Sequence, residues 1–237
     1  MNATIALAGN PNSGKTSLFN ELTGARQHVG NYPGVTVEKK EGVYRHDDVN
    51  MTIVDLPGTY SLTAYSLEEV VARDYLVREK PETVINIVDA SNLERNLYLT
   101  VQFMELGAPV CIALNMMDVA EKRGININIE KLSELLGVPV VPTVARTGKG
   151  KQDLMDAAAR GIKMHSTAAP LEISYGDDLD AALLEMETLV KEARFMNGAC
   201  PARWIALKYL ENDEQIITLG REKNPGLSRK LEQIVAR

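Results

Sequence analysis

What the 237 residues lack narrows the field first. No run of about eighteen apolar residues occurs anywhere, so no segment is expected to span a membrane. The start, MNATIALAGN, has no basic stretch leading into a long apolar one, so a secretory signal is not expected. There are only two cysteines, Cys111 and Cys200. No disulfide framework is implied, which suits a reducing cytosol, and Cys111 in PVCIALN reads as a core thiol. His28, His46 and His165 are scattered, so no metal-ligand spacing appears and iron itself is not expected to bind here. Positive charge is not in excess: Lys+Arg number 26 against 32 Asp+Glu, a net −6. That argues against nucleic acid as the main partner. Internal repeats and low-complexity tracts are also missing.

What is present has an ordinary globular composition, 45% hydrophobic and 24% charged. Up to about residue 163, strand and helix signals alternate. TIALAG (4–9), VYRHDDVNMTIVDL (43–56, two strands around a polar turn at Asp47–Asn50), TVINIVDA (83–90), PVCIALN (109–115) and VPVVPTV (138–144) have strand length. Helices are expected from Gly14 to Thr23, over 92–106 with Leu93, Leu97, Val101 and Met104 on one face, and from Gly150 to Met164. This alternation predicts an α/β fold with a mainly parallel sheet of six or seven strands. HSTAAP then reads as a linker, and strand signals fade. Leu179, Leu183, Met186, Val190 and Ala193 recur at helical spacing, with Asp177 or Asp178 as the expected cap. PARWIALKYLEND and LSRKLEQIVAR read as shorter helices. The expected division is an α/β domain over 1–164, a linker over 165–176 and a small all-helical domain over 177–237.

Chemistry enters at GNPNSGKTS. Gly9, Gly14, Lys15 and Thr16 satisfy G-x-x-x-x-G-K-[ST], after a strand and at a helix start, as the motif requires. Its glycines let backbone N–H groups curl around phosphate oxygens, and the helix start adds partial positive charge. The nucleotide set therefore begins with Gly9, Asn10, Pro11, Asn12, Ser13, Gly14, Lys15, Thr16 and Ser17. Lys15 would bridge the β and γ phosphates, and the Thr16 hydroxyl would ligate Mg2+.

That loop serves ATP and GTP alike. NMMD (115–118) discriminates between them, because it ends a strand where ligands bind in parallel sheets. The Asp118 carboxylate can accept from guanine N1–H and the exocyclic amine. Adenine offers neither donor, so it would leave a carboxylate unpaired. Asn115 would reach guanine N7 and tie its own loop to the phosphate loop.

Gly9–Thr16, Thr36, DLPG (55–58) and NMMD together resemble the ordered motifs of the translation-factor-like GTPases. The P-loop GTPase resemblance implies further roles. Asp55 would hold Mg2+ through a water, the Gly58 N–H would meet the γ phosphate, and Thr36, with Gly34 and Val35 before it, would close over the ion. Lys15, Thr36 and Gly58 form the implied catalytic set, and Met116 lies within the base loop. VAR (144–146) stands where the superfamily has Ser-Ala-Lys, placing Val144, Ala145 and Arg146 near the base, with the Ala145 amide on guanine O6. Taken singly, DLPG is also a plain turn and Thr36 also a strand residue. Thr59 stands where Ras-like proteins carry a water-orienting Gln, which implies slow intrinsic hydrolysis or a water held by backbone groups instead. Arg26 lies in the first switch region, where a solvated role is expected, as it is for Glu68 and Glu69 at a helix start.

HVGNYPGVTVEKKEG (28–42), DLPGTYSL (55–62), VDASNLERNLYLTVQ (88–102) and PARWIALKYLEND (201–213) resemble the cytoplasmic GTPase region and helical domain of the bacterial ferrous iron transport protein B family, over nearly the whole chain. The resemblance implies a GTP/GDP-binding, GTP-hydrolysing switch with Mg2+ that gates iron uptake. Its partner would be a transmembrane permease domain absent here, and its place the cytoplasmic face of the bacterial inner membrane, this chain itself being soluble. Oligomeric state is left open, a homo-oligomer included. Asn12 matches an asparagine of potassium-activated GTPases, implying K+ held with carbonyls of Gly30 and Tyr32 in place of a finger arginine. Read alone, Asn12 is equally a loop-shaping side chain. The competing readings are a soluble ribosome- or RNA-associated GTPase and a non-hydrolysing nucleotide sensor.

Overall fold

The computed structural model describes residues 2–24, 27–63, 65–163 and 170–237. Arg26, His165, the expected helix end at Met164 and most of the HSTAAP linker lie outside them. The chain forms two compact units. The first holds the chain through Met104 and resumes at Ala108; the second holds Glu105–Gly107 and runs to Arg237.

The first unit is built on a sheet of seven strands among the described residues: β1 (Asn2–Gly9), β2 (Gln27–Asn31), β3 (Glu38–His46), β4 (Val49–Asp55), β5 (Thr83–Asp89), β6 (Val110–Asn115) and β7 (Val140–Pro142). Their order is β2-β3-β4-β1-β5-β6-β7. β1 pairs in parallel with β4 and β5, and β5, β6 and β7 continue in parallel. β2, β3 and β4 are antiparallel. Helices α1 (Lys15–Thr23), α2 (Leu67–Glu79), α3 (Leu93–Glu105), α4 (Met117–Lys122), α5 (Ile129–Leu136) and α6 (Lys151–Lys163) follow in chain order. Ile5, Leu7, Ile53, Ile85 and Ile87 share one cluster with Leu18 and Phe19 of α1 and Leu154 and Ile162 of α6. Residues alternating with these point to the opposite face of the sheet. There Asn86 Nδ2 donates to Thr100 Oγ1 of α3 at 2.6 Å, so helices cover this side too. Burial on both faces explains why the central strands read as unbroken apolar runs.

α3 corrects the expected helical face. Of the expected set Met104 is buried, but Leu93, Leu97 and Val101 are only half-buried, whereas Asn96, Leu99, Thr100, Gln102 and Phe103 are buried. The polar members are buried because each has a partner. Asn96 Oδ1 accepts from the Asp89 amide at 3.2 Å, Thr100 accepts from Asn86, and Gln102 Oε1 accepts from the Leu62 amide at 2.6 Å. Strand β2 and helices α4 and α5 are additions to the elements expected. β2 is exposed along its length, which removes the alternation that would reveal it.

The second unit contains α7 (Asp177–Glu192), α8 (Ala202–Leu210), α9 (Glu214–Lys223) and α10 (Pro225–Val235). Leu183, Met186 and Val190 are buried as their spacing predicts, while Leu179 and Ala193 are exposed. The cap of α7 is Gly176 and not Asp177 or Asp178, which lie in the first turn where negative charge suits the dipole. Trp204 and Tyr209 are fully buried. Tyr209 donates to Ser228 Oγ at 2.9 Å, across from Gly220 of α9.

Cys111 and Cys200 are both buried, and burial pushes the Cys111 thiol up to about 12. No helix among the described residues is long and apolar enough to cross a membrane.

Candidate functional site

The GNPNSGKT loop links the end of β1 to the start of α1. Gly14 adopts a left-handed φ of 93°, and Lys15 opens the helix. The first-turn amides of an α-helix have no intrahelical acceptor, so the N–H groups of Lys15, Thr16 and Ser17 point outward from its N-terminus. A Cβ on Gly9 would meet the Ile87 carbonyl oxygen at 2.6 Å. Asn12 is exposed, with φ 66°. Pro11 faces Gly58 of the DLPG turn, where an added Cβ would sit 3.5 Å from its ring nitrogen. The Thr59 amide reaches the Gly9 carbonyl at 3.3 Å, and Thr59 itself is buried.

Lys15 Nζ lies 2.5 Å from Asp55 Oδ1, joining the phosphate loop to the end of β4. Burial raises the Asp55 carboxyl above the ordinary carboxylate range even though the Lys15 ammonium opposes that shift. Thr16 stands beside this pair in sequence with an exposed side chain. Thr16 hydroxyl and Asp55 carboxylate are the hard oxygen donors that Mg2+ prefers.

Gly30 lies within β2 opposite Lys39, and Tyr32 follows that strand. Tyr32 is buried, packs edge-on to Tyr75 at 6.1 Å and donates its hydroxyl to the Asp55 carbonyl at 3.2 Å. Its own carbonyl accepts from the Val35 amide at 3.3 Å. Gly34 has φ 77°, and Thr36 is exposed beyond it, before β3 begins. Among the described residues no hydrogen bond joins Asn12 to Gly30 or Tyr32.

The segment after DLPG is held more firmly than its sequence suggests. Glu69 was expected to be solvated, yet it completes a capping box with Ser66 and accepts from Ser61 Oγ at 2.8 Å. Arg95 of α3 stacks over the Tyr60 ring at 4.4 Å.

Asn115, at the end of β6, binds three loops together. Its Nδ2 donates to the Ser13 carbonyl at 2.9 Å, and its Oδ1 accepts from the Ala145 amide at 2.8 Å and from Thr143 Oγ1 at 3.4 Å. Met116 caps α4 with φ 60°, which turns Asp118 into the first helical turn. Asp118 Oδ2 is met by an Arg146 guanidinium nitrogen at 2.5 Å. Val144 is buried and Ala145 begins a short 3-10 turn. The GNPNSGKT, NMMD and VAR loops thus converge at the carboxyl ends of parallel strands, where such sheets bind ligands. Asn10 and Ser13 are buried, with side-chain polar atoms that have no partner among the described residues.

The family described as Ferrous iron transport protein B matches residues 3–158. The chain belongs to that family. Residues 175–237 match the FeoB cytosolic helical domain. The Fe(2+) transport protein A/Fe(2+) transporter FeoB fusion protein of Porphyromonas gingivalis is 48% identical over 228 residues, covering 94% of this chain. The Fe(2+) transporter FeoB of Salmonella typhimurium is 47% identical over 221 residues and 89% of this chain. The match occupies 27% of each relative's length, so the chain spans about a quarter of these curated relatives. Among solved structures, a GDP-bound mutant of S. thermophilus NFeoB is 44% identical with a TM-score of 0.84, over 98% of this chain and 88% of that one. The cytosolic domain of T. maritima FeoB in its GMPPNP form is 35% identical with a TM-score of 0.85, over 99% and 96%. The fold expected from the sequence, a P-loop GTPase sheet followed by helices, is the fold of these family members.

Proposed function

We propose that this chain is a GTP-binding and GTP-hydrolysing switch that regulates ferrous iron uptake by a membrane portion lying outside it. In the parent transporter it would act at the cytoplasmic face of the bacterial inner membrane. The observation that supports this reading most is the position of Asn115, which joins Ser13 of the phosphate loop to Ala145 beside the base-reading Asp118. The GDP-bound and GMPPNP forms of the related structures point the same way.

In this reading the amides of the Gly9–Ser17 loop hold the phosphates. Lys15 leaves Asp55 to reach the β and γ oxygens. Asp118 accepts from guanine N1–H and the 2-amine, and the Met116 turn sets its direction. Val144 and Ala145 border the base. Thr36, following Gly34 and Val35, closes toward the third phosphate, while the Gly58 amide meets it from the second switch. Thr16, Thr36 and Asp55 are the residues that would hold Mg2+, Asp55 through a water. The Asn12 side chain and the Gly30 and Tyr32 carbonyls would hold K+. Such cations supply positive charge where negative charge accumulates during phosphoryl transfer. Thr59 is too short and too buried to orient water as a glutamine would, so intrinsic turnover is slow.

GTP hydrolysis compared in potassium and sodium tests the proposal. Faster turnover in potassium, with the difference lost in Asn12→Ala while GDP binding persists, is the expected result. Equal rates in the parent would refute the potassium role, and no turnover in either salt would refute the enzymatic one.

A further inference from the structure

The pair between Arg146 and Asp118 has a consequence for base selection. A carboxylate that reads guanine needs both oxygens, one for N1–H and one for the 2-amine. Here Arg146 holds Oδ2 at 2.5 Å, whereas Oδ1 has no protein donor among the described residues. The two side chains differ in setting. Arg146 is 68% exposed and approaches from solvent, while Asp118 is 24% exposed. Arg146 therefore adds little to the fold but occupies half of the acceptor that the base requires. Its backbone is fixed by the neighbouring Ala145 amide, which Asn115 anchors, so the guanidinium is delivered to this carboxylate by the same bond that assembles the site.

We propose that Arg146 is a competing latch on Asp118 that guanine has to displace, and that it thereby limits affinity for guanine nucleotides and hastens their release. This rests on the reading of Asp118 as the base-recognition group. Hypoxanthine lacks the 2-amine and needs one carboxylate oxygen only, so the latch penalises it less. An exposed ion pair of this kind is worth enough to change a dissociation constant about two- to fivefold.

The test is calorimetric binding of GDP and IDP to the full chain, with release rates measured on a fluorescent GDP. Arg146→Ala is expected to tighten GDP about two- to fivefold and slow its release, with IDP changing less, so that the GDP-to-IDP preference widens. Arg146→Lys, which keeps a cation without the planar fork, is expected to fall between. GDP binding that is unchanged or weaker in Arg146→Ala, or equal shifts for GDP and IDP, would overturn the latch. Asp118→Asn separates the two claims. If it weakens GDP while Arg146→Ala fails to tighten it, the latch alone falls; if it leaves GDP unaffected, the base reading falls with it.

Discussion

The Nδ2 atom of Asn115 lies 2.2 Å from where a Cβ on Gly14 would stand. Gly14 also has φ 93°, which L side chains rarely adopt. Gly14→Ala therefore carries two costs. The backbone term is about 1–2 kcal/mol, and displacing Asn115 from the Ser13 carbonyl adds about 1 kcal/mol. Together these should lower stability by roughly 2–3 kcal/mol, as denaturant unfolding would measure.

Gln102 offers a second prediction, on the segment that follows DLPG. Its Oε1 is the buried acceptor for the Leu62 amide at 2.6 Å. Gln102→Ala leaves that N–H unsatisfied and should cost about 1–3 kcal/mol in denaturant unfolding. Hydrogen exchange at Leu62 should accelerate in the variant. An exchange rate unchanged from the parent would mean that another acceptor replaces the carboxamide.

That contact also shows where sequence patterns stop informing. The phosphate loop was legible because its spacing, its preceding strand and its following helix all agree. NMMD was legible because its position at a strand end matches its chemistry. The buried face of α3 was not, because Asn96, Thr100 and Gln102 look solvent-facing until their partners on Asp89, Asn86 and Leu62 are known. β2 carries no alternation because neither of its faces is buried. Glu69 resembled any acid at a helix start, and only the fold brings Ser61 to it. The Arg146–Asp118 pair spans 28 residues and depends on how two loops turn, which no local spacing encodes.

In the helical unit, Gly220 sits in the middle of α9, where alanine would ordinarily gain about 1 kcal/mol of helix propensity. Here the added Cβ would meet the Tyr209 hydroxyl at 1.9 Å and Ser228 Oγ at 3.3 Å. Overpacking of that kind costs about 1–3 kcal/mol and outweighs propensity. Gly220→Ala should therefore lower the thermal midpoint. Combined with Tyr209→Phe, it should cost less than the sum of the two single changes, since both disturb one contact.

Glu105 makes stability depend on pH. Burial holds its carboxyl above the ordinary carboxylate range, although the Tyr175 hydroxyl bonded to it pulls the other way. The folded state thus binds this proton more tightly than the unfolded chain does. Ionised Glu105 costs stability above its raised pKa, and that cost disappears as pH falls through it toward the ordinary value. Glu105→Gln keeps an acceptor for Tyr175 without the charge. It should melt above the parent at about pH 8, with the gap closing toward about pH 4. A gap that stays constant or widens on acidification would show that the carboxylate is not penalised.

The most direct test of the whole reading is nucleotide choice in Asp118→Asn. The carboxamide offers guanine N1–H and its amine one acceptor and one clashing donor, but it suits the 2-oxo group of xanthine. GTP affinity should fall by at least about 100-fold, and xanthosine triphosphate should bind where the parent does not bind it. GTP affinity equal to that of the parent, with no gain for xanthosine triphosphate, would contradict the assignment of this site to guanine.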